Sequence, residues 1–137
     1  MLLQSESAED ENTTKDIFVS VSIGELFDKI AILEIKNKKI CDLNSIKNIE
    51  QEKNALMNIC KENNIVLDDQ FDELIKINEE LWEILQLQRD KEKKKEFDGE
   101  FVQLSLDVYH KNDQRFEIKK KINKMQNSLL KEEKFYK

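Results

Sequence analysis

The chain has 137 residues, of which 38% are charged, with no proline and only two glycines, Gly24 and Gly99. Turns with positive φ depend on glycine and tight connections on proline, so sandwiches, barrels and α/β folds with glycine-rich loops are excluded. The composition therefore predicts an all-α protein. Its net charge of -6 argues against a general affinity for nucleic acid or anionic membranes.

The N-terminal region divides into two predicted segments. Residues 1–15 are acidic and polar without an apolar period, which predicts a disordered leader before a single helical domain over residues 16–137. In residues 16–21, Ile17, Val19 and Val21 alternate with Phe18 and Ser20, which predicts a short extended strand. Such a lone strand needs a partner for its backbone groups.

The first helix has an explicit start signal. Ser22 and Glu25 match a capping box, in which Ser22 accepts from the Glu25 amide and the Glu25 carboxylate reaches back. Apolar residues then recur every three or four positions, which predicts an amphipathic helix over residues 22 to about 40. A second helix is predicted from Asn44 or Ser45 to Glu62, with these residues inward: Ile46, Ile49, Leu56, Met57 and Cys60.

Two longer helices are predicted in the C-terminal half. The third starts at the caps Asp68 and Asp69, runs to about Lys95 and carries an apolar stripe of Phe71, Leu74, Ile75, Leu81, Trp82 and Leu85. After the break at Gly99, the fourth has Phe101, Leu104, Val108, Ile122 and Met125 on one side. A short turn between long helices forces antiparallel packing, so we expect an elongated antiparallel bundle of about four helices that ends in an αα-hairpin.

Polar residues interrupt these apolar stripes. On helix four, Asn112, Arg115 and Lys119 follow Val108 at helical spacing, and on helix three Asn78 lies between Leu74 and Trp82. Arg115 stands out because the chain has 21 lysines and only two arginines. Arginine makes planar, bidentate contacts with carboxylates or phosphates that lysine cannot reproduce.

Two interpretations of these polar residues remain open. The favoured one is structural, with Arg115 paired to a buried glutamate, Glu34 or Glu25, and the asparagines fixing helix register. The other is a site for an anionic ligand, which would be formed by Lys29, Glu34, Lys36, Asn78, Trp82, Asn112, Arg115 and Lys119. Trp82 also fits a simpler role as a core residue.

No catalytic residue, metal site or cofactor is predicted. Glu79, Glu80 and Glu83 match the EExxE half of all-α nucleotide pyrophosphohydrolases, but the ExxD motif that should follow is missing from residues 84–137. His110 is the single histidine, and Cys41 and Cys60 have no CxxC spacing. We therefore expect a protein without enzymatic activity and with both cysteines reduced.

Four segments together resemble a family of small uncharacterised bacterial proteins, domain-of-unknown-function family 6165. They are residues 22–36, 77–82, 112–115 and 132–136, with the sequences SIGELFDKIAILEIK, INEELW, NDQR and EEKFY. The resemblance implies a single-domain helical protein, often encoded near glycosyltransferase and lipopolysaccharide genes, and it implies no activity. The family pattern falls on Gly24, Glu25, Asp28, Lys29, Glu34, Lys36, Asn78, Trp82, Arg89, Asn112, Asp113, Arg115, Lys119, Asn123 and Lys134. Before Arg89 the family tends to carry acidic residues, whereas this chain has Ile84 to Gln88, which argues against a metal role there.

These observations favour a cytoplasmic, non-enzymatic helical interaction or accessory protein, which the resemblance links to surface-polysaccharide synthesis. Long helices around a thin core gain stability by sharing apolar faces, in the manner of a coiled coil, so we expect a homodimer. The expected partners are a second copy, another protein or an anionic small molecule, with no nucleic acid and no membrane span. The alternative function is a binder or enzyme for an anionic sugar or nucleotide.

Overall fold

The computed structural model describes residues 14–135, and these form four α-helices that pack against one another. The helices are α1 (Ile23–Lys39), α2 (Leu43–Glu62), α3 (Asp69–Lys93) and α4 (Gly99–Met125). α1 contacts the three other helices, and α3 and α4 make the most extensive contact with each other. The predicted all-α bundle is confirmed.

Each helix begins at a side-chain cap. Ser22 Oγ accepts from the Glu25 amide at 3.1 Å, as the capping box predicts. The other three helices are capped by aspartates, Asp42, Asp68 and Asp98, whose carboxylates accept from a first-turn amide. α2 starts slightly before the predicted Asn44 or Ser45 because Asp42 provides its cap.

Three helix ends use a left-handed residue that is not glycine. The φ angle is 55° at Asn64, 56° at Lys95 and 55° at Asn127. In each case the following amide returns to a carbonyl in the last turn, as in the 2.8 Å bond from the Ile65 N–H to Cys60 O. The chain therefore closes its helix ends without glycine.

The two long helices are antiparallel. Gln88 Nε2 donates to Ser105 Oγ at 2.7 Å, and Lys111 Nζ donates to Glu80 Oε2 at 2.7 Å, so residue numbers fall along α3 as they rise along α4. α4 contains 27 residues, a length of about 40 Å at the usual helical rise. The predicted αα-hairpin is confirmed.

The hydrophobic core lies at one end of the bundle, which we call the core end. It is built from α1, the last turn of α2, the first half of α3 and the last half of α4, and an edge-to-face contact joins Phe27 to Phe71, with ring centroids 6.1 Å apart. Its buried members are Leu26, Phe27, Ile30, Ala31, Cys60, Phe71, Leu74, Ile77 and Ile122. Residues 82–111, which we call the hairpin tip, contain no buried side chain.

Three predictions about inward residues are wrong. Trp82 is 41% exposed and Leu85 is similarly exposed, because they lie where α3 passes beyond the core end. Met125 is exposed in the last turn of α4. On α2 the predicted stripe holds, with Ile49 and Cys60 buried and Ile46, Leu56 and Met57 partly buried.

The predicted strand is also wrong. Ile17, Phe18 and Val19 are largely exposed, and residues 14–135 contain no strand. The alternating pattern forms no strand because no second strand in this range pairs with its backbone groups. The predicted leader lies outside the described residues except for Thr14 and Lys15. No described helix has the length and apolar character that crossing a membrane requires.

Candidate functional site

A buried carboxylate joins three of the helices. Asp28 of α1 is only 1% exposed, and it accepts from Asn78 Nδ2 of α3 at 2.9 Å. On α4, the Arg115 guanidinium donates through Nε to Asp28 Oδ1 at 3.0 Å and through Nη2 to Oδ2. Asn78 also donates to the Leu74 carbonyl at 2.9 Å, which fixes the amide in place. A bidentate pair with a buried carboxylate holds α1 and α4 in one register.

The guanidinium keeps its charge in this setting. Burial by itself would lower the pKa of Arg115, but the hydrogen bonds that Arg115 donates to Asp28 and the charges of Asp28, Glu25 and Glu132 outweigh it and raise the pKa above its usual value. Asp28, not the expected Glu34 or Glu25, is the hydrogen-bonded partner of Arg115. The expected pairing is wrong, although the expectation of a buried partner is correct.

A second ionic group lies one turn further along α4. Lys119 Nζ is buried and donates to Glu25 Oε2 at 2.7 Å, lies 2.7 Å from Glu132 Oε2 and is 4.0 Å from Asp28 Oδ2. Burial by itself would lower the pKa of the Lys119 ammonium. The hydrogen bonds to Glu132 and Glu25 outweigh burial, so the pKa is raised above its usual value. The capping box predicts that the Glu25 carboxylate contacts the backbone of Ser22. In the structure this carboxylate pairs with Lys119 instead.

The N-terminus of α1 is tied directly to the end of α4. The Gly24 N–H donates to Asn123 Oδ1 at 2.6 Å, and the Ile23 N–H donates to Ser128 Oγ at 3.0 Å. A Cβ on Gly24 would lie 2.6 Å from the Lys119 carbonyl oxygen, so this close approach requires glycine. First-turn amides of α1 that lack intrahelical partners are therefore satisfied by α4 and the segment after it.

Two adjoining clefts flank Arg115. The first, the upper cleft, has a volume of about 550 Å³ and lies between α1, α3 and α4. Its lining is mainly apolar, with Lys36, Lys39, Asn78, Asn112 and Arg115 as its polar members. Trp82 stands at one side, and Lys39 Nζ lies 4.2 Å from the centre of its ring.

The second, the lower cleft, has a volume of about 320 Å³ and is shared by α4 and residues 132–134. Its charged lining is internally compensated, because Lys119 pairs with Glu132 and Lys134 pairs with Asp113. Lys134 also lies 5.9 Å from the ring centre of Phe116. Asn112 and Arg115 line both clefts.

The structure brings together most, but not all, of the predicted site residues. Five line the upper cleft: Lys36, Asn78, Trp82, Asn112 and Arg115. Lys119 belongs to the lower cleft. Glu34 lies outside both and pairs with Lys53 of α2 at 2.5 Å, and Lys29 is exposed, 3.9 Å from Glu25. Lys29 and Glu34 therefore do not belong to this group.

Two residues were absent from the predicted site. Asp28 entered only through the family pattern, and in the structure it shares a buried face of α1 with Gly24, Ala31 and Ile35. Lys39 looks like an ordinary cation in the last turn of a helix, and its place over Trp82 depends on tertiary packing.

Many residues of the family pattern contact one another. Gly24 binds Asn123, Glu25 binds Lys119, Asp28 binds Asn78 and Arg115, and Asp113 binds Lys134. These contacts connect α1 to α3 and α4, and α4 to the C-terminal segment. Most of these residues therefore have a structural role within the bundle.

Two carboxylates of the EExxE segment form ion pairs with lysines. Glu79 lies 3.5 Å from Lys38 Nζ, and Glu80 accepts from Lys111 at 2.7 Å. Within residues 14–135, no group of three or more His, Cys, Asp or Glu side chains could hold a metal ion.

Comparisons with protein-family models, curated proteins and solved structures find no match to this chain. Membership of family 6165 therefore stays a prediction.

Proposed function

We propose that this chain is a non-enzymatic helical interaction module that forms a homodimer through its hairpin tip. One observation carries the proposal: from residue 82 to residue 111 two helices run side by side without a single buried side chain, while several large apolar side chains are exposed. A hairpin of two helices cannot cover its own outer faces. Apolar surface of this kind is typical of an interface.

The proposed contact surface is an apolar stripe on α4. Val102, Leu106 and Tyr109 are 55%, 47% and 65% exposed and follow one another at spacings of four and three residues. They therefore lie on one face of the helix. The cleft residues Val108, Asn112 and Arg115 lie about a third of a turn away from that face, so a dimer contact here would leave the upper cleft open.

A second copy of the chain is the proposed occupant. In a dimer with two-fold symmetry the same surface meets itself, so one stripe of three apolar residues provides both sides of the contact. Because the stripe carries no charge, its self-association brings no like charges together at the centre. The surrounding polar residues would form the rim of the interface.

The biological setting that we propose is an accessory role around cytoplasmic steps of surface-polysaccharide synthesis. Support for this setting comes from the resemblance to family 6165, which is carried by residues that lie on α1, α3 and α4. Another protein is the alternative partner for the stripe.

Light scattering coupled to size exclusion tests the dimer. At micromolar concentration we expect twice the chain mass, and Leu106→Glu should weaken association at least about tenfold, because a symmetric interface buries the new charge twice. The matched control is Leu43→Glu on α2, where an equally apolar side chain is 81% exposed outside the hairpin tip. This control should remain dimeric.

Two results would contradict the proposed dimer through the hairpin tip. One is a strict monomer for the unmodified chain throughout the micromolar range. The other is a Leu106→Glu protein that keeps both its helical circular dichroism and its dimeric mass, since that would place the interface elsewhere.

A further inference from the structure

We propose that the upper cleft binds a small anionic molecule that carries a planar ring, the chemistry shared by nucleoside diphosphates and their conjugates. This inference does not depend on the dimer, because the cleft and the apolar stripe occupy different faces of α4. It rests on the charge, the shape and the aromatic wall of the cleft.

The charge of the cleft is opposite to that of the chain. The protein has 29 acidic and 23 basic residues, yet the lining of the cleft contains Lys36, Lys39 and Arg115 and no carboxylate. Asp28, the carboxylate behind it, is already committed to Arg115 and Asn78. No ion pair joins Lys36 to a carboxylate within residues 14–135. The excess of positive charge in an open cleft is suited to an anion.

Arg115 is held ready for such a contact. Asp28 uses two of the five guanidinium N–H donors, and the side chain of Arg115 remains 27% exposed while lining the cleft. A donor fixed in this way need not be reorganised when a phosphate binds. Asp28 therefore acts as the positioning residue for Arg115.

The rest of the cleft suits a ring. Its walls are aliphatic, and Trp82 offers the face on which Lys39 Nζ now lies 4.2 Å from the ring centre. A planar ring could take that face by stacking, which would release the Lys39 ammonium to the anionic group. The volume of about 550 Å³ lies within the usual range for small-molecule sites.

Tryptophan fluorescence of the full chain tests this proposal, because Trp82 is the single tryptophan. We expect saturable quenching by UDP or ADP. Uridine, adenosine and inorganic pyrophosphate, which each supply only half of the proposed chemistry, should bind at least about tenfold more weakly. Isothermal calorimetry would confirm the affinities without an optical readout.

Variants at exposed lysines test the anion contact without disturbing the fold. The double variant Lys36→Gln/Lys39→Gln should weaken UDP or ADP binding about tenfold or more, the effect of losing charge-assisted hydrogen bonds. The control is Lys38→Gln, which lies between them on α1 and pairs with Glu79 outside the cleft. It should leave the affinity unchanged.

Three results would overturn the inference. The first is no saturable binding of either nucleotide. The second is pyrophosphate or the free nucleosides binding as tightly as the diphosphates, since the cleft would then not combine anion and ring recognition. The third is an equal loss of affinity in Lys38→Gln and in the double variant, which would reveal general surface attraction.

Discussion

The core end and the hairpin tip are built from the same two helices, yet they are stabilised differently. At the core end, α3 and α4 are joined by α1, and the interior holds both apolar side chains and the Asp28–Arg115 pair. At the tip the two helices pack mainly against each other, and the carboxylates in their ionic contacts are exposed, such as Asp98 and Glu100 around Lys91. An apolar stripe on one of these helices therefore becomes part of a core only where a third helix covers it.

The ionic contacts of the two regions differ in the same way. Hydrogen bonds to Glu100 and Asp98 raise the pKa of Lys91 at the tip, but these carboxylates remain in contact with water. Exposed pairs of this type contribute little to stability, because water and salt screen their attraction. Asp28 is desolvated, so removing its partner or the residue itself leaves an unpaired charge inside the protein.

The largest expected effect comes from removing the buried carboxylate. Asp28→Ala should lower the free energy of unfolding by about 3–5 kcal/mol, because the Arg115 guanidinium loses its partner in a mostly buried position. Urea unfolding at fixed protein concentration measures this. Asp98→Ala at the tip should cost far less, since its carboxylate is half exposed and its cap can be replaced by water.

A second variant separates the charge from the packing. Asp28→Ala combined with Arg115→Met removes both charges and should recover much of the lost stability. If the double variant were as unstable as Asp28→Ala, the pair would not be the source of the effect.

A smaller difference is expected between two leucines of α3. Leu74 is fully buried at the core end, so Leu74→Ala should lower the free energy of unfolding by about 2–5 kcal/mol through lost burial and a cavity. Leu87 is exposed at the tip, and Leu87→Ala should change the free energy of unfolding by less than about 0.5 kcal/mol. Thermal and urea unfolding give both values. Similar losses for the two variants would mean that the tip is covered in solution by a contact involving Leu87.

The smallest expected effect concerns the two glycines. Gly24→Ala would place a Cβ 2.6 Å from the Lys119 carbonyl oxygen, so α1 and α4 must move apart, at a cost of about 1–3 kcal/mol. Gly99→Ala meets no atom within 4 Å, and its stability should be unchanged or slightly higher because alanine favours helix. Unfolding curves of the two variants, measured side by side, test the contrast. A stable Gly24→Ala protein would show that the close approach is not required.

Local sequence signals determined much of this fold. The absence of proline, the scarcity of glycine and the caps Ser22 and Asp68 predicted four helices with nearly correct bounds, because helix starts depend on residues within one turn. The short connection around Gly99 likewise required an antiparallel hairpin. The polar interruptions on α3 and α4 correctly indicated that Asn78, Asn112 and Arg115 lie near one another.

Only the tertiary structure decided which residues pair and which stripes are covered. Asp28 and Arg115 are 87 positions apart, and no spacing rule distinguishes Asp28 from Glu25 or Glu34 as the partner. Trp82 belongs to an inward stripe by periodicity, but α1 and α2 do not enclose that part of α3, so its ring lines a cleft. Periodicity specifies a face of a helix, whereas burial and pairing depend on what the rest of the chain places against that face.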